Sequence, residues 1–266
     1  MSCALPFVGM PPKRNSCIDD HAIGFNPAEW KRDIASPTLT WHPSLDSLPV
    51  WHDSPGGRTD LREISRRNVF DLMAPASTAE NALYGYVASA VWGSGQTLKL
   101  RLLAHQVLGQ NVKDDIVKSR FLRADVGDKL LDAITASRSD PVGAFVLLHG
   151  KDGTNGKLSG VRPSGYVPWL GSSFGTKVLY FGAYESLRAV QLRPLILDAN
   201  VITGLRLLCP RLVMDSSRPT ADQYKAYLEL ASQWAAAWGT EPDMIERLLF
   251  AYGKDPKDEF VRSLLP

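Results

Sequence analysis

The chain has 266 residues, 44% of them hydrophobic, with a formal net charge of +2. It can therefore bury one large core or two small ones, and it lacks the strongly basic balance of a histone-like binder, although a locally basic face can still hold a few phosphates. The three cysteines form no CxxC pair and the five histidines no HExxH motif, which argues against a zinc ribbon, an iron–sulfur cluster or any other metal centre.

Residues 1–58 are punctuated by Pro6, Pro11, Pro12, Pro27, Pro37, Pro43, Pro49 and Pro55, so no long helical period survives there. Trp30, Trp41 and Trp51 argue against disorder, and the expectation is an irregular arm packed on a helical domain at 59–266. Nothing resembles a signal-peptide core or a membrane span. With widely spaced cysteines, this points to a reducing, cytoplasmic, soluble protein, nucleoid-associated if the source is bacterial.

From residue 59 the text becomes helical. Leu61, Ile64, Val69 and Leu72 suggest a helix over 60–73. Ser77 and Glu80 make a capping box for a helix over 77–92 that stops at Gly93-Ser94-Gly95. Amphipathic stretches follow at 97–108, 111–123 and 125–137, and Asp140 with Pro141 opens another over 142–149. A glycine-rich loop covers 151–165. A Gly/Ser hairpin at 168–176 leads into a helix over about 175–187, then an apolar run, Leu195-Ile196-Leu197, and a helix over 198–208. Thr220 caps a long helix over 220–239, Pro242 opens the next over 241–252, and Asp255 with Pro256 opens a last one over 256–265. The fold class is all-α.

Three features of the central stretch carry chemistry. Gly171, Ser173 and Gly175 let a polyanion approach unpaired N–H groups at a helix start, although an ordinary helix–helix turn reads the same way. Lys177, in the expected first helical turn, faces the positive helix end, which with partial burial disfavours its charged form. A neutral amine attacks electrophilic carbons and forms Schiff bases; the plain alternative is a solvated lysine. Asp198 reads either as an N-cap or as a carboxylate aimed at Lys177.

Gly175-Thr176-Lys177-Val178, followed 21 residues after the lysine by Asp198, resembles the helix–hairpin–helix DNA glycosylases, and within them the 8-oxoguanine DNA glycosylases in a short bacterial form. The resemblance implies a helix–hairpin–helix bundle, with Lys177 as the nucleophile at the sugar carbon and Asp198 supporting the cationic transition state. It places Thr176 with Gly171, Ser173 and Gly175 on the DNA backbone, beside Lys157 and Arg162. Glu246-x-x-x-Phe250 resembles the helix that lines the family's base pocket: Phe250 would stack on the flipped base and Glu246, where the family has an amide, would accept hydrogen bonds from its edge. A core phenylalanine and a solvated glutamate are the plain alternatives. In the loop Trp92-Gly93-Ser94-Gly95-Gln96, Trp92 would stack in the pocket and Gln96 would fill the gap left by the base; a helix-terminating glycine turn beside a core tryptophan is the plain alternative.

The hairpin departs from the family's Leu-Pro-Gly-Val-Gly, and the family's N-terminal β-domain is hard to see in the arm. The resemblance implies a monomeric glycosylase, with AP lyase capacity, that excises an oxidised purine such as 8-oxoguanine from double-stranded DNA containing damaged bases. It needs no cofactor beyond room for a monovalent cation at the hairpin. Two other classes remain: a catalytically silent DNA-binding protein of the same fold, and a helical interaction protein unrelated to DNA.

Overall fold

A computed structural model describes residues 3–34, 41–52, 58–73, 76–94, 125–154, 156–157, 159–167, 170–186 and 192–266. The helices expected over 97–108 and 111–123, and Gln96, lie outside the described residues.

The N-terminal segment carries a π-helical turn at Asn15–Asp19, strand β1 (Ala22–Phe25) and helix α1 (Pro27–Ile34). Strand β2 (Arg62–Ser65) pairs antiparallel with β1, Ala22 opposite Ser65. This corrects the helix expected from residue 60: Ile64 is buried because alternation along β2 turns it inward, and helix α2 (Arg66–Met73) begins only afterwards. The sheet also ties the two sides of the expected boundary at residue 58 together, and Phe7, Phe25 and Trp30 of the arm join the same apolar core as the helices.

Helix α3 (Ala79–Ser94) is capped by Thr78, whose hydroxyl accepts from the Asn81 N–H, rather than by Ser77. Then follow α4 (Val126–Ser137), α5 (Pro141–His149), α6 (Ser172–Ala183), α7 (Ala199–Leu208), α8 (Ala221–Trp238), α9 (Pro242–Lys254) and α10 (Glu259–Arg262). Asp140 caps α5, and Thr220 with Gln223 forms a full capping box on α8. The last helix is shorter than expected, opening at the Asp258 cap.

Helix α6 is buried on every side from Phe174 to Ala183, the mark of a central helix rather than a surface one. Helices α2, α3, α4 and α5 pack around it. Helices α7 and α9 cross closely because glycines face backbone there: a Cβ on Gly204 would lie 2.2 Å from the Leu249 carbonyl oxygen, and one on Gly253 would lie 1.9 Å from that of Asn200. Cys3 and Cys209, so widely spaced in the sequence, form a disulfide with Cα atoms 5.9 Å apart, which a reading of a reducing setting from that spacing does not anticipate; Cys17 is free and buried. No helix among the described residues is long and apolar enough to cross a membrane.

Candidate active site

Helix α6 starts earlier than the sequence suggests. Gly171 is its N-cap, without a side-chain cap bond, and Ser172 and Ser173 already lie in the first turn. Gly175 is therefore inside the helix, and a Cβ there would meet His149 Nε2 at 2.2 Å. Thr176 is fully buried. Neither residue is open to a DNA backbone, which corrects that expectation; Gly171, with open space at its Cβ position, and the partly exposed Ser173 remain accessible.

Thr176 has a different task. Its hydroxyl donates to the Ser172 carbonyl at 2.7 Å and accepts from the Leu197 N–H at 2.9 Å. That bond latches the extended run Leu195–Leu197 onto α6. Tyr224 and Tyr227 of α8 hold the same run, donating to the carbonyls of Leu195 and Ile196 at 3.0 and 3.1 Å. A buried irregular segment thus has backbone groups paired by side chains.

The latch fixes the next residue on each side. Lys177, in the second turn of α6 rather than the first, is 3% exposed. Its Nζ donates to the Ser173 carbonyl (3.2 Å), to Ser173 Oγ (3.3 Å) and to Asp198 Oδ2 (3.4 Å), and sits 5.3 Å from the Phe174 ring centroid. Asp198 is the N-cap of α7: Oδ1 accepts from the Asn200 and Val201 N–H groups, which leaves Oδ2 turned to the lysine. Both sequence readings of Asp198 hold at once, one per oxygen. A lysine and a carboxylate held in hydrogen-bond reach can form a nucleophile and its proton acceptor.

The other expected residues are placed as follows. Gly93, at the end of α3, lies against Lys177: a Cβ there would be 2.8 Å from Lys177 Cε. Its neighbour Trp92 donates its indole N–H to the His21 carbonyl at 3.1 Å, and the Arg66 guanidinium lies 4.9 Å from its ring. That face of Trp92 is covered. Phe250 is half-buried, 6.3 Å from the His21 ring.

Glu246 is fully buried, so the solvated-face alternative is corrected. Both of its oxygens accept from Arg66, at 2.7 and 3.2 Å. Burial raises the Glu246 carboxyl above its usual range, and Arg66 opposes that rise. Arg66 also donates to Tyr180, which donates to Asp243, and Arg14 pairs with Asp243 at 2.9 Å. In this arrangement the Glu246 oxygens are engaged rather than presented to a ligand edge.

Sequence reasoning missed Arg66, His21 and Arg247. Arg66 reads as a surface charge beside Arg67, because nothing in its neighbourhood announces a carboxylate 180 residues away. Among the described residues no group of His, Cys, Asp and Glu could hold a metal ion.

No curated protein matches the chain, and no solved structure does. Residues 16–250 match one protein-family model, described as "Putative 8-oxoguanine DNA glycosylase OGG-like protein". That span takes in the latch, both members of the lysine–carboxylate pair and the Arg66–Glu246 bond, and the chain belongs to this family of OGG-like proteins.

Proposed function

We propose that the protein is a DNA glycosylase acting on an oxidised purine such as 8-oxoguanine, with Lys177 as nucleophile and a Schiff base that permits AP lyase chemistry. The observation that carries this reading is the 3.4 Å approach of Lys177 Nζ to Asp198 Oδ2 inside a buried shell. The target base leaves the stack, because its glycosidic carbon cannot be reached within it. The Lys177 amine attacks C1′, the C1′–N bond breaks, and the base departs with the bonding pair. The amine proton passes to Asp198, whose negative charge also stabilises the cationic sugar in the transition state. Opening of the sugar ring at C1′ then gives the imine.

The DNA backbone runs past the start of α6. There Gly171 and Ser172 share a hollow of about 260 Å³ with Lys157 and Arg218. Exposed helix N–H groups and two cations suit a phosphate, and such contacts bind without reading sequence. The partner is duplex DNA, engaged by a monomer, and the reaction needs no resident cofactor, with room for a monovalent cation at the turn before α6.

Borohydride trapping on duplexes carrying 8-oxoguanine or an abasic site tests this directly. The wild-type chain is expected to give a covalent adduct on both, and Lys177→Gln on neither. Salt-sensitive DNA binding with no adduct from the wild-type chain would instead identify a catalytically silent DNA-binding protein. Absence of any DNA affinity would leave a helical interaction protein.

A further inference from the structure

A second feature is built around His21, the hydrogen-bond partner of Trp92. The N-terminal segment, β1, β2, α9 and α10 line an open pocket of about 590 Å³, among whose residues are Cys17, His21, Trp51, Glu63, Arg247 and Phe260. It adjoins the lysine through a short series of contacts: Lys177 lies on Gly93, and Trp92 beside it bonds to the His21 carbonyl.

The polar atoms of this pocket are poorly matched from within the protein. Arg247 Nε is buried without a hydrogen-bond partner, and so is His21 Nδ1. Among the described residues no carboxylate comes within ion-pair distance of Arg247; its guanidinium instead lies 5.9 Å from the Phe250 ring centroid, near the base-stacking candidate. Burial lowers the Arg247 pKa below the ordinary arginine value, and the nearby Arg66 cation adds to that. Burial and the Arg66, Arg247 and Lys254 cations push the His21 imidazole down to about 2, so the ring is neutral and Nδ1 is free to accept or donate. A half-buried cation with an orphaned Nε and an orphaned ring nitrogen are costly to the fold alone, and such groups mark sites where a ligand completes the pairing.

The walls narrow the class of ligand. Trp51 and Phe260 offer flat apolar surface. Asp20 and Glu63 also line the pocket, and their negative charges oppose a bare anion such as phosphate. The pocket therefore suits a neutral planar heterocycle with carbonyl oxygens for Arg247 and N–H groups for the carboxylates.

We infer that Arg247 is a specificity-determining residue, donating from its guanidinium to the exocyclic carbonyl oxygens of the extruded base, with His21 completing the reading edge. This places base reading one residue beyond Glu246, whose own carboxylate is held by Arg66. The assignment rests on the glycosylase reading for its place in turnover, but the binding it describes does not need the lysine chemistry.

The test separates the two. Full-length Lys177→Gln protein, which cannot turn over, is titrated with 8-oxo-2′-deoxyguanosine while tryptophan fluorescence is followed, since Trp51 lines the pocket. Binding is expected, weakened about 10- to 100-fold by adding Arg247→Gln, as for loss of a charge-assisted hydrogen bond, and less by Arg247→Lys. Inorganic phosphate should not displace the nucleoside. No binding, equal binding by the Lys177→Gln and double-variant proteins, or displacement by phosphate overturns the assignment.

In trapping assays on the otherwise wild-type chain, the ratio of 8-oxoguanine excision to abasic-site adduct should fall by a similar factor in Arg247→Gln. A parallel loss of both would place Arg247 on the DNA backbone and refute the inference. Failure of the wild-type chain to trap the abasic site would sink the glycosylase reading while the nucleoside titration still decides Arg247. Melting curves guard against misfolding: removing a half-buried cation whose Nε has no partner should leave the melting temperature of Arg247→Gln equal or higher, whereas a structural role would lower it.

Discussion

Two side chains show how single residues set this site. Thr176 touches no expected ligand, yet its hydroxyl bridges α6 to Leu197 and so sets the spacing of Lys177 and Asp198. Thr176→Val keeps the shape and removes the bridge. We expect it to slow adduct formation by about 10- to 100-fold with little change in DNA affinity, because small misplacements of a nucleophile are costly. Thr176→Ser should restore most of the rate, and an unaltered rate in the valine variant would remove the positioning role. Glu246 behaves differently. Glu246→Gln leaves the Arg66 guanidinium buried without its counter-charge, and denaturant unfolding should report a loss of about 3–5 kcal/mol. His21 gives a pH signature. The folded ring stays neutral down to about pH 2, while in the unfolded chain it takes a proton below about 6.5. Stability is thus complete above that value and lost as pH falls towards 2, by about 2 kcal/mol between neutrality and pH 5. His21→Gln should flatten that part of the pH–stability profile, and an unchanged slope would show that the imidazole titrates freely in the fold.

At the scale of elements, the α7–α9 crossing couples the two parts of the site. Asp198 caps one helix and Phe250 rides on the other, and they are held close only because Gly204 and Gly253 let backbone meet backbone. Gly253→Ala should force the helices apart, lowering the melting temperature and the trapping rate together. Gly171→Ala, where the added methyl meets open space at an ordinary φ of −78°, should leave the fold untouched. Equal melting temperatures for the two alanine variants would contradict this account of the crossing. The same elements show what a sequence can and cannot reveal. Strongly periodic helices with side-chain caps were legible: Thr220 with Gln223, and Asp140 with Pro141, mark their own starts. The start of α6 was not, because Gly171 caps without a side chain and the following Ser-Ser-Phe-Gly reads as a turn. Strand β2 was misread since Leu61 and Ile64 fit helical spacing as well as burial in an extended chain. For the site, the local motif pointed to Lys177 and Asp198, whereas the Arg66 partner of Glu246 lies 180 residues away in the chain and the pocket around Arg247 is lined by N-terminal residues equally remote in sequence, which no local pattern encodes.

Over the whole molecule, that N-terminal segment acts as a strap. It enters at Cys3, where the disulfide to Cys209 ties it to the C-terminal end of α7. Trp234 and Trp238 then donate their indole N–H groups to the carbonyls of Cys3 and Gly9, Phe7 stacks on Trp238 at 5.0 Å, and the Val8 N–H reaches the Leu264 carbonyl. Further along, Arg14 pairs with Asp243, and Cys17 and His21 form one wall of the Arg247 pocket. The disulfide closes a sequence separation of 206 residues, so in the chain-entropy account it removes many unfolded conformations, and losing it should cost about 2–5 kcal/mol. The noncovalent anchors keep the strap docked once the protein is folded. Asp198 sits at the opposite end of α7 and is held independently by the Thr176 latch. We therefore expect Cys3→Ser to melt several degrees below the wild-type chain, while its trapping rate at a temperature well below the transition is unchanged. A thiol reductant should bring the wild-type melting temperature down to that of Cys3→Ser and leave the variant where it is. A wild-type transition indifferent to reductant would mean that the strap is held by its tryptophan and phenylalanine contacts alone, and that the covalent tie adds nothing to the fold.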